Sequence, residues 1–264
     1  MNTHPLSSTL GIEIPGLDLS QDLKDEQVSD IVSLLYEHAI VCIRDQNIQP
    51  DELSRFGARL GTPVQHIEEN LWLDGLASVM SLSNADDRDD RQLNGGAHWH
   101  TDLIHTEEPA SFTMLHAVAV PTKGGRTMFA NQVAAFNELP VEMEEKIRDM
   151  MVIHCYEGRT DGSVPELLHP LMRPHPATGK KMIYGAADTG VGIVGMEKEA
   201  AMNFYREIGE YATQEKFVYR HQYKLNDVVI WDNAQLLHAA EVLERASSEK
   251  ENRVMHRVSV RGWP

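Results

Sequence analysis

The stretch Trp99-His100-Thr101-Asp102 sets an imidazole and a carboxylate two residues apart. On a β-strand, side chains at i and i+2 point to the same face, so His100 and Asp102 are predicted to reach one ion. The best candidate for a third ligand is His238, which follows a segment (228–233) whose apolar run and turn-forming end predict a buried strand entering a loop. Two His and one Asp can occupy one face of an Fe(II) octahedron and leave other positions open. We therefore expect a non-haem iron site and an oxidative enzyme.

A simpler interpretation of the His-x-Asp pattern stands beside this one. The chain has 13 His, so the pattern arises readily by chance. A His beside a carboxylate is more often a hydrogen-bonded pair than a pair of metal ligands. The metal interpretation therefore depends on segments elsewhere in the chain.

Those segments occur in a fixed order over nearly the whole sequence. They are AIVCIRDQ at 39–46, WHTD at 99–102, GGRT at 124–127, LLHPLMRPHPATGKK at 167–181, IWDN at 230–233 ahead of His238, and RVMHR at 253–257. Together they resemble the taurine dioxygenase and 2,4-dichlorophenoxyacetate dioxygenase (TauD/TfdA) family of Fe(II)/2-oxoglutarate enzymes. The resemblance implies a double-stranded β-helix and makes His100, Asp102 and His238 the iron ligands.

The resemblance also implies how the co-substrate is held. Thr127 and Arg253 would bind the distal carboxylate of 2-oxoglutarate, and a guanidinium suits this task because it matches a carboxylate in two-point fashion. Arg257 falls where the family places an Arg near the substrate's anionic group. If this segment is a strand, Arg253, Met255 and Arg257 share one face.

Each of these residues has an alternative role. Thr127, after two Gly, could simply begin a strand. Arg253 and Arg257 stand in a charged segment where surface ion pairing is the default expectation. Trp231 and Asp232 are either packing and turn residues or residues that orient the ligands.

Three further positions bear on the substrate. His66 aligns with a substrate-contacting His of taurine dioxygenase and, with Arg257, could bind a sulfonate or carboxylate, although an ordinary partly buried His is the alternative. Glu69 stands where that enzyme has a substrate-contacting Tyr, and Gly96 stands where it has an Asn. Both departures disfavour taurine itself, and Gly96 opens space for a larger or aromatic body.

The resemblance implies an enzyme that uses Fe(II), 2-oxoglutarate and O2, releases succinate and CO2, and hydroxylates a small, anionic substrate: a sulfonate, carboxylate, aryloxyalkanoate or amino-acid-like compound. Asp102 favours hydroxylation over halogenation, because related halogenases lack this carboxylate. One alternative is a tailoring oxygenase that acts on a larger metabolite. Another is a non-catalytic jelly-roll binding protein.

Composition limits the remaining possibilities. A chain of 264 residues can form one catalytic domain over 1–264. A formal charge of -16 disfavours nucleic acid and anionic membranes as partners. With no apolar run long enough to span a bilayer and no secretion signal, we expect a cytoplasmic protein whose two Cys, Cys42 and Cys155, are reduced thiols. Homo-oligomers are common in the family, but no sequence feature identifies an interface.

The chain is predicted to be mainly β with added helices around a jelly-roll core. Helices are predicted at about 23–37, 49–61, 131–151 with an interruption at Pro140, and 196–213. The remainder reads as strands and loops. The segment 83–96 is predicted to be either a lid over the metal motif or a plain surface loop.

Overall fold

The structure is a computed structural model that describes residues 1–66, 69–73, 75–85, 93–156, 159–187 and 189–264. The helices with described bounds are α1 Asp25–His38, α2 Pro50–Leu60, α3 Gln132–Asn137, α4 Val141–Ile147 and α5 Lys198–Ala212. Short 3-10 helices cover Glu69–Leu71, Glu215–Phe217 and Glu249–Glu251.

The strands make up most of the regular structure around the site. They are β1 His4–Pro5, β2 Ile12–Ile14, β3 Ile40–Ile43, β4 Thr62–Pro63, β5 Trp72–Leu73, β6 Leu76–Ser83, β7 Phe112–Ala119, β8 Thr127–Asn131, β9 Met151–His154, β10 Leu167–Pro170, β11 Met172–Pro174, β12 Lys181–Ile183, β13 Gly190–Ile193, β14 Val218–His221, β15 Val228–Asp232, β16 Leu236–Ala240 and β17 Val254–Arg261.

Two of the sheets form the jelly-roll core. The large sheet has the order β1-β2-β3-β15-β7-β17-β6-β5, with β4 paired to β17, and the small sheet has the order β14-β8-β16. Every strand pair is antiparallel in the described part of the chain except β2 with β3, which is parallel. Strands distant in sequence are neighbours in both sheets, as in a jelly roll. The predicted mainly β class with added helices is confirmed.

The first two helices form because their sequences provide both a buried apolar face and suitable residues at the helix ends. In α1, Val28, Ile31, Val32 and Leu35 are buried at helical spacing and pack against the large sheet. In α2, Pro50 occupies the first turn, and the Glu52 carboxylate accepts a hydrogen bond from the Gln49 backbone N–H at 2.7 Å. These helices cover the outer face of the large sheet.

A separate apolar cluster fills the space between the two sheets. Its members come from both sheets and include Leu115 of β7, Phe129 of β8, Trp231 of β15, Leu236 of β16 and Met255 of β17. The side chains of β8, β16 and β17 therefore meet inside the jelly roll. Helices α3 and α5 pack on another cluster beyond the small sheet.

The predicted elements agree closely with the observed ones. The long helical stretch 131–151 divides into α3 and α4 around Pro140, which precedes the first residue of α4. Cys42 and Cys155 are buried free thiols. Among the residues the structure describes, no helix is both long and apolar enough to cross a membrane. Residues 86–92 of the predicted loop 83–96 lie outside the described residues.

Candidate metal centre and co-substrate pocket

A short backbone bridge brings the two candidate imidazoles together. The His100 N–H donates to the His238 carbonyl at 2.9 Å, and the His238 N–H donates back to the His100 carbonyl at 2.9 Å. His238 lies in the middle of β16, the strand that follows the turn after the apolar strand β15. The two ring centroids are 4.1 Å apart.

Asp102 joins them through a turn and not through a strand, so the predicted strand geometry of His100 and Asp102 is wrong. His100 forms only an isolated bridge, and the backbone turns from Asp102 onward. Leu103 adopts a left-handed backbone conformation with φ 59°. A positive φ is uncommon for a bulky residue and marks a tight turn here. This turn folds the Asp102 carboxylate back toward both imidazoles.

The three side chains present one donor set. Nε2 of His100 lies 3.7 Å from Oδ1 of Asp102, and Nε2 of His238 lies 3.6 Å from Oδ2. All three donor atoms lie within 4.8 Å of one another. Because Nδ1 of His100 is 2.7 Å from the His98 carbonyl, which can only accept, Nδ1 carries the proton and Nε2 keeps its lone pair for the site. Two imidazole nitrogens and one carboxylate are the donors of a facial triad for Fe(II).

Neighbouring charges keep the carboxylate ionised. Burial raises the pKa of Asp102, but Arg257 and then the imidazoles outweigh it and hold that pKa well below its usual range. Arg257 donates to Oδ1 of Asp102 at 2.6 Å. Burial, followed by the neighbouring His238, lowers the pKa of His100 to about 3. His100 is thus neutral and Asp102 ionised at neutral pH, the forms in which each can bind a metal ion.

A second cation lies deeper in the same pocket. Arg253, immediately before β17, is buried, and its Nε donates to the Gly125 carbonyl at 3.0 Å. No carboxylate of the described chain lies within ion-pair distance of it. Thr127, the first residue of β8, shares a hydrogen bond of 3.0 Å with the Tyr223 hydroxyl, and the Tyr223 ring centroid is 5.7 Å from the guanidinium. Because a buried unpaired charge is costly, this corner fits an anion such as the distal carboxylate of 2-oxoglutarate.

One cavity of about 280 Å³ joins these groups. Most of the sequence-predicted site residues line it, namely His100, Asp102, His238, Thr127, Arg253, Arg257, His66 and Gly96. Glu69 does not: it is exposed in the 3-10 helix Glu69–Leu71, and Leu71 of that helix faces the cavity instead. The apolar part of the lining includes Leu71, Met80, Leu82 and Leu115, of which Met80 and Leu115 flank Arg257 on the neighbouring strands β6 and β7.

A model of the taurine catabolism dioxygenase TauD, TfdA family matches residues 2–259. The chain belongs to this family. It is 26% identical over 259 residues to the alpha-ketoglutarate-dependent 2,4-dichlorophenoxyacetate dioxygenase of Cupriavidus pinatubonensis, covering 89% of this chain and 90% of that one. It is 27% identical over 260 residues to the alpha-ketoglutarate-dependent sulfate ester dioxygenase of Pseudomonas putida, covering 91% and 84%.

The fold of this TauD/TfdA-family protein also matches solved structures. A crystal structure of AAD-2 in complex with Mn(II) and N-oxalylglycine superimposes with a TM-score of 0.88 at 26% identity, covering 99% of this chain and 97% of that chain. The predicted family, jelly-roll fold and enzyme class are therefore confirmed. The protein is an Fe(II)/2-oxoglutarate-dependent dioxygenase that uses O2 and acts on a small molecule.

The two Arg residues of this dioxygenase do not behave as surface ion pairs. Arg253 is buried, so that alternative is wrong for it, and Arg257 is paired inside the cavity with Asp102. Thr127 both begins a strand and lines the cavity, so its two predicted roles coexist. Arg253 precedes β17 and the register shifts between Val254 and Met255, so strand alternation does not place Arg253 on one face with Met255 and Arg257. Arg253 and Arg257 nevertheless both line the cavity.

His66 lines the cavity near Arg257. Burial, followed by the nearby positive charge of Arg257, lowers the pKa of His66 to about 4, so its imidazole is neutral at physiological pH. A neutral imidazole can donate a hydrogen bond to an anion without adding charge. Gly96 also lines the cavity, where a Cβ would lie 3.7 Å from the His100 ring, an ordinary contact.

The two central residues of the IWDN motif, Trp231 and Asp232, have different roles. The Trp231 ring packs 4.8 Å from the His238 ring, so it supports the ligand. Asp232 instead accepts hydrogen bonds from the backbone of Ala234 and pairs with His175, away from the cavity. Asp232 is therefore a turn residue.

Sequence reasoning missed Tyr223 beside Thr127 and Thr113 beside Asp102. Thr113 is a polar residue within the otherwise apolar start of β7, which is the one local signal that it carries. Its partner Asp102 lies outside any regular strand, so no periodicity connects the two.

A second cluster with metal-binding residue types is closed by a cation of its own. Cys42, His221 and Asp227 also lie within metal-ligand distance of one another. The Arg44 guanidinium, however, pairs with Asp227 and, at 2.8 Å, with Glu13. Because the carboxylate already has a positive partner, this cluster is an internal ion pair.

Proposed function

We propose that this dioxygenase holds Fe(II) with His100, Asp102 and His238, holds the distal carboxylate of 2-oxoglutarate with Thr127 and Arg253, and hydroxylates a small organic anion. The observation that carries the substrate class is the position of Arg257. It lines the same cavity as the donor set, and its cross-strand neighbours in that cavity, Met80 and Leu115, are apolar.

The chemistry divides between the bound groups and the chain. Fe(II), when bound with 2-oxoglutarate and O2, supplies the oxidation that couples decarboxylation to succinate and CO2 with hydroxylation of a substrate C–H. The chain supplies ligands in the right protonation states, because His100 is neutral and Asp102 is ionised. Arg253 and Thr127 anchor one end of the co-substrate. The apolar side chains that line the cavity exclude water from the substrate.

The substrate is proposed to be an anion with an apolar body. Arg257 provides a charge-assisted donor pair for a carboxylate, sulfonate or sulfate, and the neutral His66 provides a further polar contact. Leu71, Met80 and Leu82 provide a surface for an alkyl or aromatic group. The relatives that act on 2,4-dichlorophenoxyacetate and on sulfate esters support this combination, because both kinds of substrate join an anionic head to an apolar body.

The size of the cavity supports a small substrate over a large metabolite. Its volume of about 280 Å³ is near the lower end of ligand pockets and must also hold the co-substrate. The tailoring-oxygenase alternative is therefore the weaker one, and family membership removes the non-catalytic binding protein. We propose one catalytic domain over 1–264 in the cytoplasm, with no nucleic-acid or membrane partner at a net charge of -16.

The test is succinate release above the no-substrate background. The panel contains 2,4-dichlorophenoxyacetate, 2-phenoxypropionate, an alkyl sulfate and taurine, each carboxylate being paired with its neutral methyl ester. Acids are expected to stimulate succinate release and esters are not. Stimulation by the esters alone, or by no member of the panel, would contradict the proposed substrate class.

Variants of Arg257 then locate the anion. Arg257→Met is expected to raise the substrate KM roughly 100-fold, since a charge-assisted hydrogen bond contributes about 1.5–3 kcal/mol. Arg257→Lys keeps the charge and should lose less. Because Arg257 also contacts Asp102, Fe(II) affinity is measured in parallel, and a KM effect that only follows weakened metal binding argues against direct anion contact.

A further inference from the structure

We propose that Thr113 is a positioning residue for the metal centre. Its hydroxyl fixes the Asp102 carboxylate, and hydrogen bonds through Asn233 link that carboxylate to Trp231, whose ring packs on His238. The inference rests on the proposed metal roles of Asp102 and His238. Thr113 and Asn233 lie behind the cavity and do not line it, whereas Trp231 does.

The direction of the Thr113 hydrogen bond is determined by its neighbours. Thr113 is fully buried, and its Oγ1 lies 2.6 Å from Oδ2 of Asp102, 2.9 Å from Nδ2 of Asn233 and 3.0 Å from Oγ of Ser259. The Asn233 amide nitrogen can only donate, and an ionised carboxylate can only accept. The single Thr113 proton therefore points to Asp102, and both of its lone pairs are filled.

Asn233 connects this hydroxyl to the other candidate ligand. Its Oδ1 accepts from Trp231 Nε1 at 3.0 Å and from the Asp102 backbone N–H at 3.4 Å. The Trp231 ring packs against His238 with centroids 4.8 Å apart. One buried amide thus contacts the turn that carries the carboxylate and the ring that supports the imidazole.

Thr113 matters because the other hydrogen bond on Asp102 has a competing task. Oδ1 of Asp102 is held by Arg257, the same group that is proposed to bind the substrate anion. When Arg257 turns toward an anion, the Thr113 hydroxyl is the side-chain hydrogen bond that keeps the carboxylate oriented. Hydrogen bonds to a ligating group typically change metal affinity by about 10–100-fold.

The variants separate the hydroxyl from the shape of the side chain. Thr113→Val removes the donor at nearly constant volume, and Thr113→Ser keeps the donor. Ser111→Ala is the matched control, because Ser111 is also fully buried and its hydroxyl donates to the Val260 carbonyl at 3.0 Å without contacting Asp102. Thr113→Ala replaces Thr113→Val if the latter does not fold.

The primary readout is anaerobic binding of Mn(II), followed by its electron paramagnetic resonance signal, together with the absorption spectrum of the Co(II)-loaded protein. Thr113→Val is expected to weaken Mn(II) binding at least tenfold and to change the Co(II) spectrum. Thr113→Ser should bind Mn(II) within about threefold of the wild type. The thermal midpoints of metal-free Thr113→Val and Ser111→Ala are measured in parallel, so that lost stability is separated from lost metal affinity; Thr113→Val is expected to fall further, because it leaves three buried partners unpaired instead of one.

Two different failures are distinguishable. If Thr113→Val binds Mn(II) as tightly as Ser111→Ala while His100→Ala abolishes binding, the metal site stands and the positioning role of Thr113 is wrong. If the wild type and His100→Ala bind Mn(II) equally, the proposed metal site itself is wrong, and the role of Thr113 fails with it.

Discussion

Two buried His–carboxylate groups in this molecule differ in what their polar atoms contact. In one, His175 and Asp232 are both inaccessible, and Nε2 of His175 donates to Oδ2 of Asp232 at 2.9 Å. Backbone N–H groups and Gln235 complete the hydrogen bonds of both side chains. In the other, Nε2 of His100 and Nε2 of His238 stand beside Asp102 at the wall of a cavity.

The difference separates structural from ligand-binding groups. A buried polar group whose hydrogen bonds are complete stabilises the fold and has no capacity left for a ligand. Ring nitrogens that face a cavity beside an ionised carboxylate keep their lone pairs available. Proximity of His and Asp therefore does not identify a metal site, whereas unused donor capacity directed at a cavity does. We call His175 with Asp232 the closed group, and His100 with Asp102 and His238 the open group.

The largest expected effect comes from the open group. His100→Ala removes one of the three proposed ligands and should lower the rate of succinate formation at least about 1000-fold, because every step of the reaction depends on the metal. Circular dichroism should show the protein still folded. Residual activity within tenfold of the wild type would contradict the role of His100 as a metal ligand.

The closed group should respond in the opposite way. His175→Ala removes one hydrogen-bond donor from the buried Asp232 carboxylate and leaves a cavity where the imidazole packs, which should lower the free energy of unfolding by about 3 kcal/mol. Chemical denaturation measures this loss. Below the transition, Mn(II) affinity should stay within about threefold of the wild type, and a large loss of metal affinity in folded protein would show that the two groups are not independent.

Arg253 extends the comparison to a cation. It is buried with no carboxylate partner in the described part of the chain, so it belongs with the open groups. Arg253→Ala should raise the KM for 2-oxoglutarate roughly 100-fold, or about 2.7 kcal/mol, while Fe(II) affinity changes little. An unchanged KM for 2-oxoglutarate would mean that Arg253 stabilises the fold and does not bind the co-substrate.

His154 is an intermediate case, and its effect is seen in how the stability of the fold depends on pH. Its Nδ1 shares a hydrogen bond of 3.0 Å with Thr189, whereas its Nε2 is buried and has no hydrogen-bond partner among the described residues. Burial, followed by His169 and His105, lowers the pKa of His154 to about 3. Between the unfolded pKa near 6.5 and this value the unfolded chain binds the extra proton, so stability falls as pH falls.

The expected slope from His154 is on the order of 1 kcal/mol per pH unit below about pH 6. Unfolding of the metal-free protein is compared with that of His154→Gln, because other buried His residues add to the total slope. The variant should lose stability less steeply on acidification. Equal slopes would mean that His154 is protonated in the folded state, and thus that its unpaired nitrogen is accessible after all.

Local signals made much of the fold predictable. The helices α1 and α2 begin and end within two residues of the expected bounds, because apolar spacing and end residues such as Pro50 act over a single turn. The residue types of the metal centre were predictable for another reason. A facial triad needs particular donors, and His100, Asp102 and His238 supply them.

Orientation was less predictable because it depends on distant contacts. The strand expected at His100 and Asp102 is a turn, since His100 is bridged to His238 far along the chain. Glu69 aligned with a substrate-contacting position, yet its side chain points to solvent. The role of Thr113 could not be predicted, because its partner Asn233 is 120 residues away.

The most direct test of the open metal centre is an anaerobic titration of the metal-free protein with Fe(II) and then 2-oxoglutarate, followed by visible absorption. The wild type is predicted to develop a weak band that requires both additions. His100→Ala should develop no band, and Arg253→Ala should need far more 2-oxoglutarate to reach it. A folded wild-type protein with no band, or a band unchanged in His100→Ala, would contradict the proposed assignment of His100, Asp102 and His238 to the iron.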